Sequence, residues 1–153
     1  ISQRPDYSFV FTGPEDDGFR QHRIHSLKNA YFTGQKKVDE LPAYITAYDV
    51  CINPQMVNDI TDGNYPLKID EYLAMGKPTV ATSTHTMRHI FADHTHLATN
   101  PEEWLSAIDR AVTEADDKEL AKQRIAFAET HSWGHSVKKI YGIIDNFLKE
   151  KAT

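Results

Sequence analysis

The sequence predicts an α/β fold: a doubly wound parallel sheet with helices on both faces. Three observations carry that expectation. Five short runs, "YSFVFTG" (7–13), "AYFTG" (30–34), "DVCINP" (49–54), "PTVAT" (78–82) and "THLAT" (95–99), are rich in apolar, aromatic and β-branched residues, as buried strands are. Segments with helical spacing stand between most of them, and strands that alternate with helices favour a parallel sheet with right-handed crossovers. Punctuation marks the junctions: Gly13-Pro14, Gly34, Pro54, Gly76 and Pro78 close or open these runs.

The elements follow in order. Residues 14–29 are polar, with a short helix expected near Phe19 to Leu27. Residues 38–48 read as a helix, because Leu41, Tyr44, Ile45 and Tyr48 recur at helical spacing and Asp39 can cap its start. A long polar connection, "QMVNDITDGN", leads to a helix over 66–75. Asn64 or Tyr65 is the expected cap and Pro66 suits the first helical position, where its missing N–H is not needed. Gly76 suits the left-handed residue after the last turn, and Pro78 blocks continuation. "THTMRHIF" (84–91) suggests a short helix. Asn100-Pro101-Glu102-Glu103 reads as a capping box opening a helix to about Glu114. Residues 117–130 and 133–150 complete the helices.

Composition bounds the function. The 153 residues suffice for one domain, residues 1–153, with a sizeable core, and 40% hydrophobic with 25% charged is ordinary for a globular chain. The net charge of -5 lacks the basic footprint of a nucleic-acid binder. The single Cys51 excludes a disulfide framework and favours a reducing, cytoplasmic setting. No run approaches the ~18 apolar residues of a spanning helix, and peripheral membrane contact remains open. The abrupt start, "ISQRPDYSFVFTG", suggests a fragment of a longer protein.

In doubly wound sheets ligands sit beyond the carboxyl ends of the strands. The loops there are 13–18, 34–38, 54–65 and 82–86. The loop 54–65 feeds the positive end of the 66–75 helix, a favourable place for phosphate. Glu71 lies one turn inside that helix, so its dipole does not explain the carboxylate. The residue could accept two hydroxyl hydrogen bonds from a ribose or simply face water. His85, His89, His94 and His96 cluster in sequence with spacing a transition metal can use, but no cysteine or carboxylate completes a site, so no metal is expected. Gly13 and Gly34 belong to no phosphate-binding glycine pattern. Asp16, Asp17, Asp59 and Asp62 are loop acids, and Cys51 reads as core. No nucleophile–base pattern is visible, so no catalytic residue is assigned.

Four segments in order, "RPDYSFVFTGP", "NAYFTGQKKVDELPAYITAYDVCINP", "YPLKIDEYLAMGKPTVAT" and "SWGHSVKKIYGIID", resemble the C-terminal half of GT-B glycosyltransferases. The similarity is to the family 4-like group that builds bacterial surface polysaccharides. It implies a Rossmann-like domain that binds a nucleotide-sugar donor. It also implies an N-terminal acceptor domain outside this chain, together with the first strand and its phosphate-clamping basic residues. The last helix, with Phe147 and Leu148, would pack back on that domain. By resemblance, Glu71 corresponds to the second Glu of the Glu-x7-Glu motif, which holds the ribose hydroxyls. Asn64, Tyr65, Pro66, Leu67 and Lys68 would face the diphosphate, and Gln35, Lys36, Lys37 and Val38 the nucleobase. Gly13, Pro14, Asp62 and Gly63 would complete the cleft loops. The first motif Glu is replaced by Gly63, with Asp62 or Asn64 beside it as substitutes.

The resulting expectation is the donor-binding part of a retaining glycosyltransferase, inert alone. It would use a UDP- or GDP-sugar and a saccharide or lipid-linked acceptor, with no metal or other cofactor. A nucleotide-sugar epimerase of the same fold and a non-catalytic Rossmann-like interaction module are the alternatives. Gly63 favours the latter; the intact Pro66 to Pro78 motif argues against it.

Overall fold

The computed structural model describes residues 1–151. The chain forms two compact units, residues 1–44 and residues 45 onward.

In the first unit, strand β1 (Phe9–Thr12) pairs in parallel with β2 (Ala30–Gly34), Phe9 opposite Ala30 and Phe11 opposite Phe32. Between them run a short helix α1 (Asp17–Arg20), capped by the Asp16 carboxylate, and a 3-10 turn over Arg23–Ser26. The unit is held by rings. Phe11 stacks on Phe32 at 5.0 Å and His25 on Phe32 at 3.9 Å. Residues 1–7 form turns tied down by Asn29, whose Nδ2 donates to the carbonyls of Ile1, Arg4 and Tyr7. Helix α2 (Leu41–Ala47) follows, opened by Glu40 accepting from the Lys37 N–H rather than by a side-chain bond from Asp39.

In the second unit, β3 (Cys51–Asn53), β4 (Thr79–Thr82) and β5 (His96–Ala98) form a parallel sheet with β4 in the centre. All four β4 residues are buried. Alternation along β4 assigns its two faces. Val80 packs with Ala98, Ala107, Ala111 and Trp104 on the side of helix α4 (Pro101–Thr113). Ala81 packs with Ile69, Leu73, Met87, Phe91 and Ala128 on the side of α3 (Leu67–Ala74) and α5 (Lys118–Thr130). The expected parallel strands and flanking helices are therefore present, with hydrogen bonding divided between two sheets, β1-β2 and β3-β4-β5.

The local signals act as chemistry requires. Asn100 accepts from the Glu103 N–H at 2.9 Å, and Pro101 takes the first helical position. Glu103 reaches back one residue further than a standard capping box, accepting from the Thr99 N–H (2.7 Å) and hydroxyl (2.6 Å). The end of α3 is a Schellman motif. Gly76 has φ +71°, its N–H donates to Leu73, and the Lys77 N–H donates to Tyr72. The 84–91 segment winds into a π-helix over Met87–Phe91, which turns Met87 and Phe91 into the core. A final helix, α6 (Trp133–Lys151), buries none of its residues and exposes Ile140, Ile144, Phe147 and Leu148. No helix among the described residues is long and apolar enough to cross a membrane.

Candidate functional site

The richest site geometry in the second unit lies beyond the carboxyl ends of β3 and β4. The connection after β3 is built rather than loose. The Gln55 N–H donates to the Thr82 hydroxyl at 2.8 Å, and Asn58 Oδ1 accepts from the N–H groups of Ile60 and Thr61. Asp62 then joins this connection to the loop after β4. Its Oδ1 accepts from the His85 N–H at 2.7 Å and its carbonyl from the Thr86 N–H at 3.3 Å. Asp62 thus has a holding role, whereas Gly63 and Asn64 beside it are exposed.

Helix α3 starts one residue later than expected. Pro66 is extended (φ -87°, ψ 90°) and forms the cap position, with no side-chain capping bond. Neither Asn64 nor Tyr65 caps the helix. The Ile69 N–H is satisfied by the Pro66 carbonyl at 2.9 Å. The N–H groups of Leu67 and Lys68 have no hydrogen-bond partner among the described residues, so two donors and the positive end of the helix face outward.

Burial splits α3 cleanly. Ile69 and Leu73 are fully buried, while Leu67, Lys68 and Glu71 are exposed. Glu71 makes no side-chain hydrogen bond or ion pair among the described residues. Tyr72, next to it, has its hydroxyl pushed up to about 12, by burial first and then by the charges of Cys51, Glu71 and Tyr48. Cys51 is buried, and burial raises its thiol to about 12 against a smaller opposing effect of Lys77. It is a core residue and no nucleophile at neutral pH.

Tyr65 is tied to the helix it precedes. Its hydroxyl donates to Asp70 Oδ2 at 2.6 Å. Burial first, then the bond and charge of Asp70, hold the phenol well above its ordinary range. Asp70 Oδ1 in turn meets His131 Nδ1 at 2.9 Å. Sequence reasoning missed Asp70 and His131. They stand 61 residues apart, and no spacing rule joins them.

The histidines serve separate purposes. His85 and His89 have ring centroids 4.2 Å apart on the surface. His94 lies before β5 and stacks on Phe127 at 4.1 Å, and His96 pairs with Glu114 at 3.0 Å. No group of three or more His, Cys, Asp or Glu gathers for a metal among the described residues.

The remaining predicted residues lie in the first unit. Gly13 and Pro14 follow β1, and the Gly13 N–H donates to the Gly34 carbonyl. Gly34 has φ +70° and turns the chain into 35–38, where Gln35, Lys37 and Val38 are exposed and the Lys36 ammonium lies over the Tyr44 ring at 5.1 Å.

The sequence that builds this site has relatives among known proteins. Residues 1–114 match the family model described as glycosyl transferases group 1. The chain belongs to that family. It is also 28% identical over 145 residues to a Bacillus subtilis (strain 168) protein, TuaH, whose name makes it a proposed teichuronic acid biosynthesis glycosyltransferase. That alignment covers 90% of this chain and 36% of the relative, so the chain spans about a third of the relative's length. Within this group 1 glycosyltransferase chain, the matched residues include all of α3 and its preceding loop.

Proposed function

We propose that the chain is the donor-binding part of a retaining glycosyltransferase that moves a sugar from a UDP- or GDP-sugar to a saccharide or lipid-linked acceptor. The observation that carries this reading is the start of α3. Two unpartnered N–H groups, at Leu67 and Lys68, point outward, and an unpaired carboxylate, Glu71, stands one turn behind them. An anion belongs at the first feature and a hydroxyl-bearing group at the second, the arrangement that a nucleoside diphosphate satisfies.

In this reading Glu71 accepts hydrogen bonds from the ribose hydroxyls. The N–H groups of Leu67 and Lys68, with the Lys68 ammonium, take the diphosphate. The chain's contribution to the reaction is position and charge: the donor is fixed, and the developing negative charge on the leaving diphosphate is met by dipoles already in place. No metal is assigned a part. The name of the Bacillus relative, which refers to teichuronic acid biosynthesis, supports a saccharide acceptor. The single cysteine supports a cytoplasmic setting, and a lipid-linked acceptor would bring the reaction to the inner face of the membrane.

Calorimetric titration of UDP, GDP, ADP and their sugar conjugates, with Glu71→Ala alongside, tests this. One diphosphate should bind selectively, and Glu71→Ala should weaken it by roughly 10- to 100-fold, the loss expected for hydrogen bonds to a charged group. EDTA should leave the affinity unchanged. Equal affinity of the variant for the same diphosphate would remove Glu71 from the site.

A further inference from the structure

The start of α3 contains a feature at odds with anion binding. Asp70 places a carboxylate in the first turn, close to the free N–H groups of Leu67 and Lys68. Such a carboxylate favours the helix dipole but repels a diphosphate brought to the same end.

The structure covers this carboxylate on both oxygens. Oδ2 accepts from the Tyr65 hydroxyl at 2.6 Å and Oδ1 faces His131 Nδ1 at 2.9 Å. An ionised carboxylate only accepts, so Nδ1 carries the proton of that bond. Side-chain exposure is 25% for His131 and 20% for Asp70, so the pair is shielded but not sealed. His131 is itself held from several sides. It is the C-cap residue of α5, edge-on to Phe127 at 4.5 Å, to Phe91 at 5.8 Å and to Tyr65 at 6.4 Å. Tyr65 also packs on Phe91 at 5.4 Å. The chain entering α3 is therefore fixed through Asp70 rather than by a cap.

We propose that His131 is a positioning residue of the donor site. It donates to and orients Asp70, and Asp70 in turn fixes Tyr65, so that the start of α3 accepts a diphosphate. The inference rests on the donor-site reading above and extends it to a residue that need not touch the ligand.

The test is a charge rescue. UDP and GDP, with uridine and guanosine as controls, are titrated into the chain and into His131→Phe, Asp70→Asn and the double variant. Phe keeps a ring against Phe127 and Phe91 but loses Nδ1. His131→Phe should weaken the diphosphate about fivefold to tenfold, the effect of one uncompensated charge at a helix start. Nucleoside affinity should stay within twofold. Asp70→Asn in that background should restore the diphosphate, and His131→Asn, which keeps a donor, should bind as the parent does. A purely structural role would lower nucleoside and diphosphate binding together, with no rescue by Asp70→Asn; that result overturns the proposal. Should His131→Phe not fold, Tyr65→Phe carries the same test, with an expected loss of about threefold that Asp70→Asn removes. If the parent chain binds neither diphosphate, the donor-site reading falls and this inference with it. If the parent binds and His131→Phe binds equally well, only this inference falls.

Discussion

Removing the carboxylate of Glu114 should destabilise the second unit more than most single substitutions. Arg124 is the buried charge at stake, with its side chain 6% exposed. Its guanidinium pairs with Glu114 and lies 3.4 Å from the Gly76 carbonyl. Burial alone lowers the Arg124 pKa, and Glu114 is the first group that opposes the shift. Glu114 also receives His96 at 3.0 Å, so one carboxylate joins α5, the end of α4 and β5. Glu114→Leu leaves an unpaired guanidinium in the interior, a change that costs about 3–5 kcal/mol. For a chain of this size that corresponds to a fall in Tm of roughly 6–20 °C. Replacing both partners, Glu114→Leu with Arg124→Met, removes the stranded charge and should recover most of the loss. Thermal and urea unfolding followed by circular dichroism give both numbers. The reasoning fails if Glu114→Leu costs under about 1 kcal/mol, or if the double variant is as unstable as the two single losses added together.

Two further predictions concern local signals. Gly76→Ala should cost about 1–2 kcal/mol for the left-handed backbone alone, and more because the new Cβ would lie 3.1 Å from that of Ala121; a urea midpoint measures it. The hydrogen bonds from Thr99 hold the Glu103 carboxyl below its usual range, so its unfolded pKa is the higher of the two. Its stabilisation is then fully present above the unfolded value near 4.3 and is lost as pH falls through the lower folded value. Unfolding midpoints of Glu103→Gln and the parent should differ at pH 7 and converge in acid.

Much of the fold was legible because it is written in short-range chemistry. Gly76 and Pro78 announced the end of α3, and the structure shows the Schellman bonds that make Gly76 necessary. Asn100 and Pro101 fixed the start of α4 in the same way. The run at 78–82 reads as a buried strand, and the structure makes it the centre of its sheet with all four β4 residues buried. Pro66 falls one position from the expected one, at the cap in extended backbone, and the nearby Tyr65–Asp70 bond, five residues apart, belongs to no standard capping pattern. The stacking of His94 on Phe127, just before β5, leaves no trace in local pattern. The Asp70–His131 pair shows the general difficulty. Each residue alone resembles a surface helix residue, and their meaning arises only when folding joins α3 to the end of α5.

The connection between β3 and α3 has a thermodynamic consequence. In sequence it is the longest irregular stretch near the site. In the folded chain Gln55 is tied to Thr82, Asn58 to Ile60 and Thr61, and Asp62 to His85 and Thr86. The disorder that such a stretch would otherwise lose on meeting a ligand has already been lost on folding. Binding to a surface ordered in advance forfeits little conformational entropy, so more of each contact's free energy remains as affinity.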